Sequence, residues 1–331
     1  MSVAAVDLTG VSRDLDASVT ARLEVVEREL HAAVDTDEPV VGEAARHLLD
    51  AGGKRFRPLL TLVAAQLGNP DAPGVVPSAL VVELTHLATL YHDDVMDDAA
   101  LRRGAPSANR VWGNSVAILT GDYLFARASS IAAELGAEIV AIQARTFARL
   151  VRGQVRETVG PGAGVDPLEH YLSVVSDKTA SLVSTAARFG AMTAGADAAI
   201  VATLADFGER IGVAFQLADD LLDVTGSSLR SGKTPGTDLR EGVRTLPVLL
   251  ALRSGQPADA RLRELLSQPL TSDDELAETL SLLRGHPAVE QAHQIVLDRT
   301  DRARQTLCAL PAGPARNALD AVAVALAVRD R

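Results

Sequence analysis

Tyr91-His92-Asp93-Asp94-Val95-Met96-Asp97-Asp98 follows an apolar run, residues 81–90, that has helical spacing and no helix breaker. We therefore predict that this acidic stretch, the first aspartate motif, lies at the C-terminal end of a helix. On that helix Asp93 and Asp97 are four residues apart and project from one face. Two carboxylates stacked there repel each other and oppose the helix dipole. Because a divalent cation would offset both costs, the pattern indicates a metal site.

A second aspartate motif, Asp219-Asp220-Leu221-Leu222-Asp223, repeats the D-D-x-x-D spacing in another apolar helical run. A solvated acidic face would explain either motif alone. Two identical patterns in apolar helices favour metal binding instead. Carboxylate oxygens suit magnesium, which normally keeps waters and shares its coordination shell with substrate phosphates. Facing clusters of this kind indicate several magnesium ions around one diphosphate.

Further motifs in the chain follow the order found in one enzyme family. They are Gly52–Pro58 (GGKRFRP), His86 before the first aspartate motif, Arg102–Gly104, Gly153-Gln154, Asp177–Thr179, the second aspartate motif and Gly232–Asp238. Each is weak alone, but together they resemble the trans-isoprenyl diphosphate synthases of the long-chain polyprenyl type. The resemblance covers about residues 50 to 250.

The resemblance implies an all-α isoprenoid synthase fold, a single large helical bundle with a central cavity. One polyprenyl synthase domain would then occupy residues 1–331, with residues 1–13 as a loose segment. The implied reaction is the head-to-tail addition of isopentenyl diphosphate to an allylic diphosphate, with three Mg²⁺ ions in the active site. A homodimer is expected, and quinone side chains are the expected use of the product.

The resemblance also assigns roles to individual residues. Those assigned to isopentenyl diphosphate are Lys54, Arg57, His86 and Arg103. Those assigned to the allylic diphosphate are Arg102, Lys178, Thr179, Gln216 and Lys233. The predicted metal ligands are Asp93, Asp97 and Asp219, with Asp94 and Asp223 in lesser roles. The catalytic set is Lys178, Thr179 and Gln216 with Asp93, Asp97 and Asp219. Arg244 stands where the family often has a lysine, and its role is left open.

Product length is predicted from the helix that precedes the first motif. Thr89 lies one turn before Asp93 on the same face, with Ala88 beside it. Both are small, whereas short-chain members of the family carry bulky aromatic residues near these positions. Tyr91 should point to the opposite side of the helix. We therefore expect an open tunnel and a product of about thirty to fifty carbons, with a farnesyl- or geranylgeranyl-length product as the alternative.

Two other functions stay open at this point. A terpene cyclase would line its cavity with aromatic faces to stabilise cations, yet the chain has only one Trp, three Tyr and six Phe. A non-catalytic partner subunit of a two-component synthase would be expected to lose its aspartate motifs, and both are present. Both observations favour a catalytic prenyltransferase.

Composition limits the class and the location of the protein. Hydrophobic residues make up 47 %, and 32 basic against 43 acidic residues leave a net charge of −11, which argues against a nucleic-acid partner. The N-terminal residues lack the long apolar core of a signal peptide, so we expect none, and no run reaches about 18 apolar residues. We expect a cytoplasmic protein without a membrane span, although transient membrane contact during product release stays open. Cys308 is the single cysteine, which excludes an internal disulfide, and we expect it to be buried.

Overall fold

Helices form nearly all of the regular structure in the computed structural model, which describes residues 8, 10–226, 235–268, 270 and 272–327. The helices up to the second aspartate motif are α1 (Arg13–Ala33), α2 (Pro39–Asp50), α3 (Phe56–Ala65), α4 (Val75–Met96), α5 (Ala108–Trp112), α6 (Asn114–Leu135), α7 (Ala137–Val159), α8 (Pro167–Val175), α9 (Ser181–Thr193) and α10 (Ala198–Thr225). A π-turn, Ser176–Ala180, joins α8 to α9.

The later helices are α11 (Thr237–Arg240), α12 (Leu246–Arg253), α13 (Ala260–Leu265), α14 (Asp273–Arg284), α15 (Pro287–Thr306) and α16 (Pro314–Ala327). The strands β1 (Leu101–Arg102) and β2 (Ala105–Pro106) form one short antiparallel hairpin. This architecture confirms the predicted all-α class.

The described residues form two compact units. Unit 1 comprises the described residues up to Ala148, together with Leu182–Gly208 and Thr306–Ala321. Unit 2 comprises Arg149–Ser181, Glu209–Gln305 and the described residues from Val322. The predicted single domain and central cavity stay predictions.

Helix α4 is the central element of unit 1. It packs against α1, α3 and α6, and its buried residues lie on nearly every side of the helix. A helix that is apolar all round is stable only when other elements enclose it. Burial along α4 therefore fixes the position of the first aspartate motif, because Asp93 and Asp94 belong to its last turn and Asp97 is its C-cap.

A buried ion-pair network ties α1 and α4 to the start of α3. Arg55 is 4 % exposed and precedes α3 with a left-handed φ of 45°. Its Nε and Nη2 donate to Glu27 at 2.7 and 2.8 Å, and its Nη1 donates to Glu83 at 3.2 Å. The turn is held in this uncommon backbone conformation because the guanidinium has partners on two helices.

The core of unit 2 surrounds the C-terminal half of α10. Leu217, Leu221 and Val224 of that helix are buried in one cluster with leucines from α12 to α14. Tyr171 and Leu172 of α8 pack against the same cluster. These contacts bury one face of α10 in unit 2 and thereby fix where the second aspartate motif lies.

The helix that ends in the first aspartate motif is present as predicted, and other features differ from expectation. The hairpin and the π-turn were not predicted. After Thr245 the described residues contain five α-helices, α12 to α16. Cys308 is exposed, which corrects the expected buried thiol; it lies in a 3₁₀ turn, Leu307–Ala309, where Leu307 takes the buried position.

None of the described helices is long and apolar enough to cross a membrane.

We predict that Arg55→Met destabilises the protein by about 3–5 kcal/mol, because Glu83 would stay buried without its partner. The control is Arg46→Met, which removes an exposed ion pair with Asp35 and should cost no more than about 1 kcal/mol. Urea denaturation measures both free energies. Equal small losses for the two variants would contradict the structural role of Arg55.

Candidate active site

The three basic residues of the turn before α3 have different environments. Arg55 belongs to the ion-pair network, whereas Lys54 is exposed and Arg57 is partly buried. The Nε of Arg57 is buried and has no hydrogen-bond partner. A buried guanidinium donor without an acceptor is costly, so this position suits an anionic ligand.

Arg103 lies beside the same turn. Its Nη1 donates to the carbonyl oxygen of Leu48 at 2.6 Å and also to that of Gly52. A Cβ at Gly53 would lie 2.8 Å from Nη1 of Arg55 and 3.0 Å from Cζ of Arg103, so a side chain there would displace both guanidinium groups. Two backbone carbonyls therefore orient a second guanidinium toward the turn that carries Lys54.

His86 lies near these two arginines. Burial lowers the pKa of His86 well below its ordinary value, and nearby Arg57 and Arg103 lower it further. Burial likewise lowers the pKa of Arg57 to about 10, which leaves that side chain charged at neutral pH. The structure thus brings together Lys54, Arg57, His86 and Arg103, the residues assigned to isopentenyl diphosphate, in unit 1. We call these four residues the basic pocket.

The first aspartate motif presents its carboxylates in different environments. Asp93 is partly buried and Asp97 is exposed, as a hydrated ion requires. Asp94 is 0 % exposed, and its Oδ1 accepts from Nε of Arg102 at 2.6 Å. Burial raises the pKa of Asp94, and Arg102 opposes that shift.

The predicted lesser role of Asp94 in metal binding stays a prediction. Only its Oδ1 is paired, because Oδ2 is buried and has no hydrogen-bond partner among the described residues. Through Oδ1, Asp94 holds Arg102, which was assigned to the allylic diphosphate, at the start of the hairpin. Sequence spacing could not separate Asp94 from Asp93, because only packing distinguishes neighbouring residues on one helix turn.

The hairpin after the first aspartate motif carries Arg102 in its first strand and Arg103 in its loop. Arg103 and Gly104 form its two-residue loop, with φ values of 55° and 79°, and positive φ at both loop residues is typical of a type I′ turn. Asp98, just before the hairpin, also has a positive φ of 48° and pairs with Arg110 at 2.8 Å. Arg55, Asp98 and Arg103 are the non-glycine residues with positive φ in the described part of the chain. Such conformations persist where surrounding contacts hold them, often at functional sites.

In unit 2, the second aspartate motif belongs to a chain of hydrogen bonds. Thr179 Oγ1 donates to Gln216 Oε1 at 3.0 Å, and Gln216 Nε2 donates to Asp220 Oδ1 at 2.7 Å. The hydroxyl of Tyr171 donates to the other oxygen of Asp220. The predicted residues Thr179 and Gln216 are therefore connected directly. The role of Tyr171 was missed, since nothing in its local sequence signals a contact 49 residues away.

Several carboxylates lie close together around these hydrogen bonds. Burial raises the pKa of Asp220 to about 7, and the neighbouring Asp219 and Asp223 contribute. Burial and Asp223 raise the pKa of Asp238 to about 8. Asp223 accepts from the backbone amides of Thr237 and Asp238, both at 3.2 Å. Mutual repulsion of this kind favours a bound cation.

Neither motif forms a complete metal cage by itself. No group of three or more His, Cys, Asp or Glu side chains placed to hold a metal occurs in the part of the chain that the structure covers. Magnesium commonly takes only one or two carboxylates and completes its shell with water and phosphate oxygens. The partly buried Asp93, Asp219 and Asp223 and the exposed Asp97 fit that coordination.

Lys178 lies in the π-turn and forms an ion pair with Glu157 of α7. π-turns inside helices are rare and occur frequently at functional sites. Arg244, whose role was left open, donates Nη2 to the carbonyl oxygen of Leu266 at 3.3 Å. Lys233 and the glycine before it lie outside the described residues, so the assignment of Lys233 stays a prediction.

The two residues predicted to set product length differ in exposure. Ala88 is 1 % exposed, and its carbonyl oxygen would lie 3.1 Å from a Cβ at Gly121 of α6. Thr89 is partly buried, and its Oγ1 donates to the carbonyl oxygen of His86 at 2.7 Å. Tyr91 is fully buried, and its hydroxyl bonds the carbonyl oxygen of Ala44 in α2. Tyr91 thus packs against α2.

Comparison with known proteins places this geometry in a family. The polyprenyl synthetase profile matches residues 38–283. A nonaprenyl diphosphate synthase from Mycobacterium tuberculosis is 50 % identical over 307 residues, covering 92 % of each chain. A heptaprenyl diphosphate synthase component 2 from Geobacillus stearothermophilus is 40 % identical over 311 residues, covering 93 % of this chain and 96 % of that protein.

A solved structure of a related enzyme has the same fold as this chain. The crystal structure of geranylgeranyl pyrophosphate synthase from Corynebacterium glutamicum, complexed with calcium and isoprenyl diphosphate, superposes with a TM-score of 0.86 at 43 % identity, covering 96 % of this chain and 98 % of that one. These matches span the basic pocket, both aspartate motifs and the π-turn. The chain therefore belongs to the polyprenyl synthetase family and is a prenyltransferase.

Proposed function

We propose that the protein is a trans-polyprenyl diphosphate synthase that adds isopentenyl diphosphate repeatedly to an allylic diphosphate. The observation that carries the proposal is the basic pocket, in the same unit as the first aspartate motif. A pocket with two guanidinium groups and a neutral imidazole matches a diphosphate, because Arg binds phosphate oxygens bidentately. The orphaned Nε of Arg57 supplies a donor for that anion.

We assign metal binding to Asp93, Asp97, Asp219 and Asp223. The Corynebacterium enzyme binds calcium together with isoprenyl diphosphate, which supports a divalent ion here, and the oxygen ligands favour Mg²⁺, with three ions proposed for the active site. Bound divalent ions would neutralise charge on the diphosphate that leaves. Asp94 and Asp220 orient other side chains of the site: Asp94 accepts a hydrogen bond from Arg102, and Asp220 accepts one from Gln216.

The side chains around the allylic diphosphate have separate tasks. Lys178, Lys233 and Arg102 place positive charge where negative charge develops on the leaving group, which favours ionisation of the allylic carbon–oxygen bond. Thr179 and Gln216 direct their oxygen dipoles toward the carbocation. Because Gln216 is held by Asp220 at 2.7 Å and by Thr179 at 3.0 Å, its amide is oriented before substrate binds.

The basic pocket binds the second substrate. Lys54, Arg57 and Arg103 hold the diphosphate of isopentenyl diphosphate, and His86, neutral because of its lowered pKa, contributes a hydrogen bond. The double bond of isopentenyl diphosphate attacks the carbocation, forming the new carbon–carbon bond. Loss of a proton to the departed diphosphate then restores the double bond and yields an allylic product five carbons longer.

We propose that both units act as one catalytic domain and that the chain forms a homodimer. A relative named as component 2 of a heptaprenyl diphosphate synthase raises a second possibility, a requirement for a different partner chain. Activity of the purified chain alone would separate the two.

We predict that the purified chain elongates labelled isopentenyl diphosphate on allylic starters only when Mg²⁺ is present, and that Asp93→Asn lowers kcat by about 10²–10³, the scale seen when one group that stabilises developing charge is lost. Chromatographic sizing of products measures this. Asp98→Asn is the matched control, since Asp98 is an exposed member of the same motif that pairs with Arg110, and it should stay near wild type. A wild-type chain without prenyl product would refute the proposed function, and a folded Asp93→Asn enzyme with normal turnover would refute the metal assignment.

We predict that Thr89→Phe shortens the longest product sharply while leaving the first condensation intact, because the ring would block the tunnel one turn before Asp93. Thr89 is preferred to Ala88, whose nearly complete burial makes overpacking costly, at about 1–3 kcal/mol. Leu90→Phe adds a ring on a different side of α4 and serves as the control. A folded, active Thr89→Phe enzyme with an unchanged longest product would show that the chain grows elsewhere.

A further inference from the structure

Asp177 receives hydrogen bonds from three arginines of α7. Arg149 Nε donates at 2.9 Å, Arg152 Nε at 2.7 Å and Arg156 Nη1 at 3.1 Å. These arginines are spaced i, i+3 and i+7, so they lie on one face of the helix. The Asp177 side chain is only 9 % exposed, and the arginines hold its pKa below the ordinary value against the opposing effect of burial. All four residues belong to unit 2.

The main role of this network is to fix the position of Asp177. The side chains of Arg152 and Arg156 are 53 % and 45 % exposed, yet Arg152 donates to both oxygens of Asp177, at 2.7 and 3.1 Å, and such a two-point contact fixes the orientation of the carboxylate. Arg149 already has a second partner, Glu209, at 2.6 Å. Three guanidinium groups on one carboxylate restrict its position from several directions, so the main effect is geometric.

The segment held in this way is the π-turn. Asp177 is its second residue, and Lys178 and Thr179 follow directly. Such a turn carries one extra residue compared with an α-helix, which rotates the following side chains by about 100°. A Cβ at Gly153 of α7 would lie 2.6 Å from the backbone nitrogen of Lys178, so the two backbones meet without an intervening side chain.

We infer that Asp177 is a positioning residue: the three arginines of α7 hold it, and it holds the π-turn in the register that directs Lys178 and Thr179 toward the allylic diphosphate. This inference rests on the proposed function. Without the Asp177 charge, the turn can relax toward α-helical register. Thr179 would then lose its bond to Gln216, and Lys178 would move relative to Asp219 and Asp220.

Asp177→Asn tests the inference, because it keeps the shape of the side chain and removes its charge. We expect kcat to fall by about tenfold or more and KM for the allylic diphosphate to rise, with KM for isopentenyl diphosphate within about twofold of wild type. Asp177→Glu should restore part of the loss. The control Asp166→Asn removes a partly buried carboxylate that caps α8 and pairs with Arg253; it should lower stability without changing either KM.

Two further measurements test the inference even if Asp177→Asn does not fold or the wild-type chain is inactive. Arg152→Gln removes one exposed arm of the network and should shift the same constants in the same direction by a smaller factor, even if Asp177→Asn does not fold. Hydrogen exchange of residues 176–181 should be faster in Asp177→Asn and unchanged in Asp166→Asn. A folded Asp177→Asn enzyme with wild-type kcat and allylic KM would overturn the inference. If the wild-type chain makes no prenyl product, the proposed function fails, and unchanged exchange in the π-turn would then overturn the positioning role separately.

Discussion

Two carboxylates, Asp93 and Asp97, lie one turn apart at the end of α4 where the helix dipole already disfavours negative charge. Burial along nearly the whole helix fixes this position, so the carboxylates cannot move apart without unpacking unit 1. Folding by itself gains nothing from the arrangement. A site that needs cations and an anionic substrate does gain from it, because positive ions convert the repulsion into binding energy.

Neighbouring charged residues with different environments occur twice more in the described part of unit 1. Arg55 is enclosed by Glu27 and Glu83 and supports the fold, whereas Arg57, two residues later, keeps a buried donor without an acceptor. Asp94 is enclosed by Arg102, whereas Asp93 beside it stays accessible. In each pair, packing gives two charged residues that are close in the sequence different environments.

The sequence predicted helices better than it predicted the geometry of the site. The apolar run at residues 81–90 predicted a helix that leads into the first aspartate motif, and α4 ends within that motif. The motifs also identified the family. The enclosure of Asp94, the contact of Tyr171 with Asp220 and the π-turn could not be predicted, since each depends on packing between segments distant in sequence. Gly153 gave a signal, but only the structure shows that its missing side chain admits the backbone of Lys178.

The central claim is that the basic pocket binds isopentenyl diphosphate and that the π-turn serves the allylic diphosphate. Steady-state kinetics of Arg57→Ala and Lys178→Ala, with each substrate varied in turn, test it most directly. The account predicts that Arg57→Ala raises KM for isopentenyl diphosphate by about tenfold or more and leaves the allylic KM within about twofold, with the reverse for Lys178→Ala. Equal changes in both constants for both variants would contradict the assignment of the two sites.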